Sequence, residues 1–202
     1  MTVVYAETNF ILELAYLQEQ HASCEHLLAL AESGQIRLVI PAFSLMEAQS
    51  AFASRSLLRD RAREALAQPV REIGRSLPYK FAGEAAWRII IALLSRTTEE
   101  EDDRLKAVLD RILRSAELIP LETVVLKEID AYGQQYKLPL ADAAVFTSVM
   151  NHLGRTRPAV SCFLNRNVKD FDKGGIQGAL RQYGCRLIGR FDQGLGFVLN
   201  LP

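Results

Sequence analysis

The 202-residue sequence has no excess of charge of either sign: Lys and Arg together number 24, as do Asp and Glu. Net charge therefore argues for neither a nucleic-acid nor a membrane partner, and only a local basic patch could do so. Cysteine is scarce, with Cys24, Cys162 and Cys185 alone. The number is odd and no two form a Cys-x-x-Cys pair. All three sit among apolar residues, which suits core thiols in a reducing compartment and not a disulfide framework. Histidine is as rare. His21-x-x-Cys24 has no second pair, so it makes a poor zinc signal. The chain starts without a cationic segment, and Glu7 interrupts its first apolar run, so no signal peptide is expected. The longest apolar run, around Trp87 to Leu94, is too short to span a bilayer. A cytoplasmic protein with no membrane partner is the expectation. Internal repeats and low-complexity segments are missing too.

What is present is ordinary for a globular protein: 49% hydrophobic and 24% charged residues. The length suits a single domain over residues 1–202. Val3-Val4-Tyr5-Ala6 reads as a strand that stops at Glu7, and a helical face begins at Ile11. A second helix runs through Cys24, Leu27, Leu28 and Ala31 to Gly34. Ile36 to Ile40 is a strand stopped by Pro41, and a helix runs from about Ala42 into the region of Arg55. This β-α-α-β-α order opens an α/β fold with a parallel sheet.

Between about residues 55 and 117 the sequence predicts helices and no strand. Arg55 to Lys80 is locally basic. Phe81 to Ser95 is apolar around more than one face, so that helix should be buried or should meet a partner chain. Thr98-Glu99-Glu100-Glu101 has the form of a capping box. It predicts a new helix, carrying Leu105, Val108, Leu109 and Ile112, with the acids in its first turn. The α/β alternation then resumes: a short strand at Leu118 to Leu121, helices from Glu122 and from Pro139, and a buried strand at Val160 to Leu164. A short helix precedes a last strand at Cys185 to Ile188. The apolar tail from Phe191 should dock on the body or on a second subunit.

Polar residues recur at one kind of place, the C-terminal edge of a strand or the first turns of the helix after it. Glu7 follows the first strand. Glu47 lies after the second, among Leu45, Met46 and Ala48. Asp142 lies one turn into the helix after Pro139. Asn165, Asn167 and Asp170 follow the strand that ends at Leu164. Parallel strands place all of these along one rim, where α/β proteins gather ligands. Each also has an ordinary reading: Asp142 complements a helix N-terminus, and the asparagines suit turns.

Taken together, Ala6-Glu7-Thr8-Asn9, Pro41 to Glu47, Leu138 to Ala143 and Phe163 to Phe171 resemble the PIN domain, the nuclease domain of VapC-type toxins and related ribonucleases. Lys169-Asp170-Phe171 after a strand is the most distinctive piece. The resemblance implies a three-layer α/β/α fold with a mainly parallel central sheet and a helical insertion at about 55–117. It also implies a metal-dependent endoribonuclease in which acids hold Mg²⁺ or Mn²⁺ and RNA is cleaved. Carried onto this chain, the acids are Glu7, Glu47 and Asp142. Asn9 supports the first acid, Asn167 stands at the fourth metal position, and Asn165 takes the place of a Thr or Ser. Toxin membership would bring an antitoxin protein as partner. Clustered acids suit this chemistry, because a hard cation takes oxygen ligands and offsets their repulsion.

Two positions depart from the family pattern: Glu7 where it has Asp, and the amide of Asn167 where an acid is common. They motivate an alternative, a catalytically weakened PIN-like module for RNA binding or protein interaction. A phosphotransfer or nucleotide-binding protein is a weaker third reading, since Gly174-Gly175 alone is a turn signal and not a phosphate loop. Arg55, Arg59, Arg63 and Arg71 are candidates for contacts along an RNA backbone, or else solvated helix-face charges. The apolar helices predict a homo-oligomer.

Overall fold

The computed structural model describes residues 1–167, 171 and 174–200 of the chain. Its sheet has five strands: β1 Thr2–Ala6, β2 Ile36–Pro41, β3 Glu117–Ile119, β4 Ser161–Leu164 and β5 Cys185–Ile188. Their order is β3-β2-β1-β4-β5, and every neighbouring pair is parallel. Strands buried on both faces need apolar residues at every position, not at alternate ones. Val3, Val4, Tyr5 and Ala6 satisfy this, as do Cys162, Phe163 and Leu164.

The alternation of side chains divides the core into two layers. Val4, Ala6, Leu38, Ile40 and Leu164 face one of them. Against them lie α1 (Thr8–Tyr16), α2 (His21–Glu32) and the last turns of α4 (Lys80–Ser115). Val3, Tyr5, Val39 and Phe163 face the other. They meet α5 (Thr123–Tyr136), α6 (Leu140–Thr156) and α7 (Gly174–Arg181). The three-layer α/β/α arrangement is thus present. The tail forms α8 (Phe191–Leu199), which docks on the body: Phe191 is buried and meets Phe10 edge-on at 5.7 Å between ring centroids.

The chain builds outward from β1 to β2 to β3, then returns past β1 to form β4 and β5. The direction of winding reverses between β1 and β4. Outside the carboxyl ends of those two strands such a sheet leaves a crevice, and ligands bind there.

The region between β2 and β3 departs from the sequence expectation. The helix begun at Ala42 does not stop near Arg55; α3 spans Ala42–Gly74. Thr98 to Glu101 do not open a helix either, for they lie inside α4. The Thr98 hydroxyl donates to the Leu94 carbonyl, one turn back, instead of capping. The competing signal was the spacing of Gly83, Trp87, Ile90, Leu94, Thr98, Glu101 and Leu105. It keeps one seam continuous through the supposed boundary. α3 and α4 therefore form one long antiparallel hairpin. Near its tip, a Cβ added at Gly83 would sit 3.5 Å from the Gly74 Cα. Further down, Arg59 bonds Thr98 and Glu101.

One contact on the central strands is especially tight. A Cβ at Gly194 would lie 2.5 Å from the Leu164 Cδ2 atom and 3.0 Å from Cδ1, and Leu164 is fully buried. Gly194→Ala should therefore destabilise the protein by about 1–3 kcal/mol through overpacking. Gly196→Ala, where an added Cβ meets nothing, should be neutral or should stabilise slightly. Urea unfolding of the two variants checks the pair.

Candidate active site

The candidate residues stand on four segments that follow strands of the sheet or open its helices: the start of α1, the first turns of α3 and of α6, and the turn after β4. Glu7 follows β1 and is the N-cap residue of α1, where its Oε2 accepts the Asn9 backbone N–H at 2.9 Å. Asp, Asn, Ser and Thr are the usual caps. The longer Glu7 side chain reaches the same donor by turning back over its own helix. Its other oxygen, Oε1, takes the Arg166 backbone N–H at 3.5 Å, the long end of a hydrogen bond. Glu7 is buried, and burial pushes its carboxyl up to about 7. Hydrogen bonds from Asn9 and Arg166 pull the other way, and the nearby charge of Glu47 adds to the rise.

Glu47 is half-buried on α3, a turn and a half past β2. The Thr8 hydroxyl, buried at the start of α1, donates to its Oε2. Asp142 lies in the first turn of α6. Its Oδ2 accepts the Asn167 amide at 2.8 Å. Asn165 is buried, and its Oδ1 takes the Asn167 backbone N–H at 2.7 Å, which shapes the turn after β4. The structure thus places Glu7 with Asn9, Glu47 and the turn after β4, and joins Asp142 to that turn through Asn167. Asp170 lies outside the described residues.

Three of the partners, Glu13, Arg166 and Thr8, lie outside the candidate residues read from the sequence. Glu13, fully buried on α1, pairs with the Arg166 guanidinium and also accepts the Gln20 backbone N–H at 2.8 Å. The turn after β4 is therefore tied on one side to α1 through Arg166 and on the other to α6 through Asn167. The Arg166 backbone lies over Glu7 between those two anchors. An acid among apolar residues at Glu13 was the available signal, since a buried carboxylate needs a partner. Nothing in the local sequence of Thr8 links it to Glu47, 39 residues away.

The arginines of α3 do not make one stripe. Arg55 stacks over the Tyr16 ring at 4.1 Å, and Arg59 is held by Glu101 and Thr98 inside the hairpin. Arg63 lies 3.2 Å from Asp60, and Arg71 is exposed near the hairpin tip. His152 is away from the rim, bonded to Tyr5 and Glu117, whereas His21 shares a surface cleft with Arg166 and Glu19. Cys24, Cys162 and Cys185 are free, buried thiols, and burial holds each above the ordinary thiol range.

The donor set is one of oxygens: three carboxylates and two amides. Among the described residues no three His, Cys, Asp or Glu side chains converge as a ready metal cage. Mg²⁺ does not demand one, since it is usually held by one or two carboxylates with waters and substrate oxygens. A divalent cation fits what is here. It would offset the repulsion between Glu7 and Glu47 and favour the charged form that burial disfavours.

A profile of the PIN domain matches residues 4–171. The chain belongs to the PIN-domain family. The match spans the strands and helices that carry Glu7, Glu47, Asp142 and Asn167, so the likeness seen in the short motifs holds along most of the chain. Among solved structures, VapBC2 from Rickettsia felis bound to a DNA fragment from their promoter is similar over 92% of this chain and 97% of its own, with a TM-score of 0.47 and 11% identity. No curated protein matches the chain.

Two outcomes test this geometry in the metal-free protein. The Glu7 carboxyl holds its proton more tightly folded than unfolded, so stability should fall as pH rises from about 4.5 to about 7. Glu7→Gln removes that slope. In chelator the variant should exceed the native protein at pH 8 by on the order of 3 kcal/mol and match it near pH 4.5. An equal difference at both pH values in urea unfolding would contradict it. Arg166→Met strands the Glu13 carboxylate and should cost about 3 kcal/mol, measured the same way.

Proposed function

We propose that this PIN-domain protein is a metal-dependent endoribonuclease, cleaving RNA phosphodiesters with Mg²⁺ or Mn²⁺. The reading is carried by the family match, and it is supported by Glu7 beside Glu47 and the Asp142–Asn167 pair standing after the strands and at the helix starts of one parallel sheet. PIN domains are in general nucleases, and the family match supports the same chemistry here. Glu7, Glu47 and Asp142 would hold the cation, with Asn167 beside them. When bound, such an ion activates a water and neutralises charge on the phosphodiester.

The chain's own residues set the geometry. Thr8 fixes the Glu47 carboxylate through its hydroxyl. Asn9 and the Arg166 backbone hold the two oxygens of Glu7. Asn167 orients Asp142, and Asn165 holds the Asn167 backbone. With an amide at the fourth position the site carries three carboxylates. That favours one tightly held ion over two. A toxin role, with a small antitoxin as partner, extends the proposal by way of the family's VapC-type members.

A second reading has its own observation. Glu7 spends one oxygen capping its own helix, and Asn167 spends its amide on Asp142. Both are consistent with a weakened site that binds RNA, or a protein, without cleaving. Incubation of the protein with mixed labelled RNAs and Mn²⁺ separates the two. A nuclease should cleave, and Glu47→Gln and Asp142→Asn should each lower the rate at least 100-fold. RNA binding without cleavage selects the second reading. Cleavage unchanged in both variants would remove the proposed site.

A further inference from the structure

The α3–α4 hairpin has no core of its own. Between Arg55 and Glu100 only Gly83 is buried, and the hairpin's ties to the body, Arg55 on Tyr16 and Arg104 on the Ala15 carbonyl, lie at its base. From the Arg59–Glu101 contact to the Gly74–Gly83 crossing is 15 residues of α3, about 22 Å of helix. Two antiparallel helices alone make a single layer, and stable helical units pack a second layer against the first.

Each helix carries two apolar stripes. The first forms the seam between them, with Val70 and Gly74 of α3 facing Gly83, Trp87, Ile90 and Leu94 of α4. The second lies about one residue, or about 100°, back around each helix. On α3 it comprises Leu58, Ala62, Leu66 and Ile73; on α4 it comprises Ala85, Ile89 and Leu93. All seven are exposed. The helices run in opposite directions and face each other, so the same rotation on each brings both stripes to one side of the hairpin. From Leu58 to Ile73 that side of α3 carries no charge; on α4 the line through Ala85, Ile89 and Leu93 runs on into Arg96 and Glu100, which pair with each other at 2.6 Å. The charges of α3, including Asp60, Glu64, Arg71 and Arg75, turn the other way, as do Glu84 and Arg88 of α4.

We propose that this face binds the same face of a second copy, so that two hairpins close into a four-helix bundle. Three features favour a second copy over another occupant. Alanines alternate with Leu and Ile, so a large side chain of one copy can seat on a small one of the other. The two charges on the face, Arg96 and Glu100, pair with each other towards the base of the hairpin, so the face is neutral as a whole and two identical surfaces can meet. The five large side chains of the stripes, Leu58, Leu66, Ile73, Ile89 and Leu93, are 39–67% exposed, and a second copy would double the apolar surface removed from water, as the size of a standard interface requires. A membrane surface would call instead for lysines and arginines flanking the apolar stripe, but here Arg96 is paired with Glu100 and the charges of the far side are of both signs.

Sedimentation equilibrium of the full chain from about 1 to 50 µM tests the proposal. The native protein should be a dimer. Ala62→Lys and Ala85→Lys place a charge on the face at exposed positions that contribute no buried packing, and each should raise the dissociation constant at least 100-fold with unchanged far-ultraviolet helicity. Gln68→Lys, on the charged side, should remain dimeric. A native monomer across this range, whether or not it binds anionic vesicles, overturns the proposal, as does an Ala85→Lys dimer. A covalent probe gives a second measurement that does not rely on a disrupted fold. The native cysteines are buried, so a short bismaleimide should link Ala62→Cys into a dimer and leave Gln68→Cys unlinked. Equal linking of both would exclude this face. These outcomes are independent of whether the crevice cleaves RNA.

Discussion

A carboxylate held out of water at the end of the central strand governs what surrounds it. Glu7 is buried where the winding of the sheet reverses, and its charged form is disfavoured there. An isolated buried charge would neutralise itself. Two N–H donors limit that, one of α1 and one of the turn after β4, while the nearby charge of Glu47 adds to it. Such a site is poised between two states, protonated without a cation and ionised with one. The ionised Glu7 therefore costs stability in the metal-free fold, and that cost is balanced elsewhere in the structure.

Part of the balance comes from how the turn after β4 is fastened. Arg166 reaches α1 and closes on Glu13, a carboxylate with no solvent exposure. Asn167 reaches α6 and closes on Asp142. Such a pair is weak evidence for net stability, but it is specific about geometry, because losing Arg166 strands the fully buried Glu13 carboxylate. Here the geometry it specifies is the position of the Arg166 backbone over Glu7. The fastening and the site thus depend on the same three residues of one turn.

The sheet was legible in the sequence because central parallel strands are buried on both faces. Continuous apolar runs such as Val3 to Ala6 and Cys162 to Leu164 have few other uses. The rim positions were legible for a related reason: polar residues standing directly after such runs must sit at a strand's carboxyl edge. Less legible was any contact joining distant segments by one side chain, such as Thr8 to Glu47 or Glu13 to Arg166. Neither residue's local pattern carries the identity of its partner. The insertion was misjudged for a third reason. Thr98 to Glu101 satisfy the local rule for a helix start, but the apolar seam of α4 passes through them and adds tertiary contact on both sides. Local capping contributes about 1 kcal/mol, and a continuous packed seam outweighs it.

That continuity changes what the insertion is. Were Ser54 to Leu118 a separate helical module, the site and the insertion could vary independently. Instead Glu47 and the hairpin share α3, one helix from Ala42 to Gly74. Arg55, two turns beyond Glu47, rests on Tyr16 at the end of α1. Arg104 of α4 holds the Ala15 carbonyl at the same end. The hairpin is therefore rooted on the helix whose N-terminus Glu7 caps, and on the helix that presents the second acid. A load on the hairpin would reach the crevice through α1 and α3 together. Both carry their acids near the ends that meet the sheet, where the buried core fixes them most firmly.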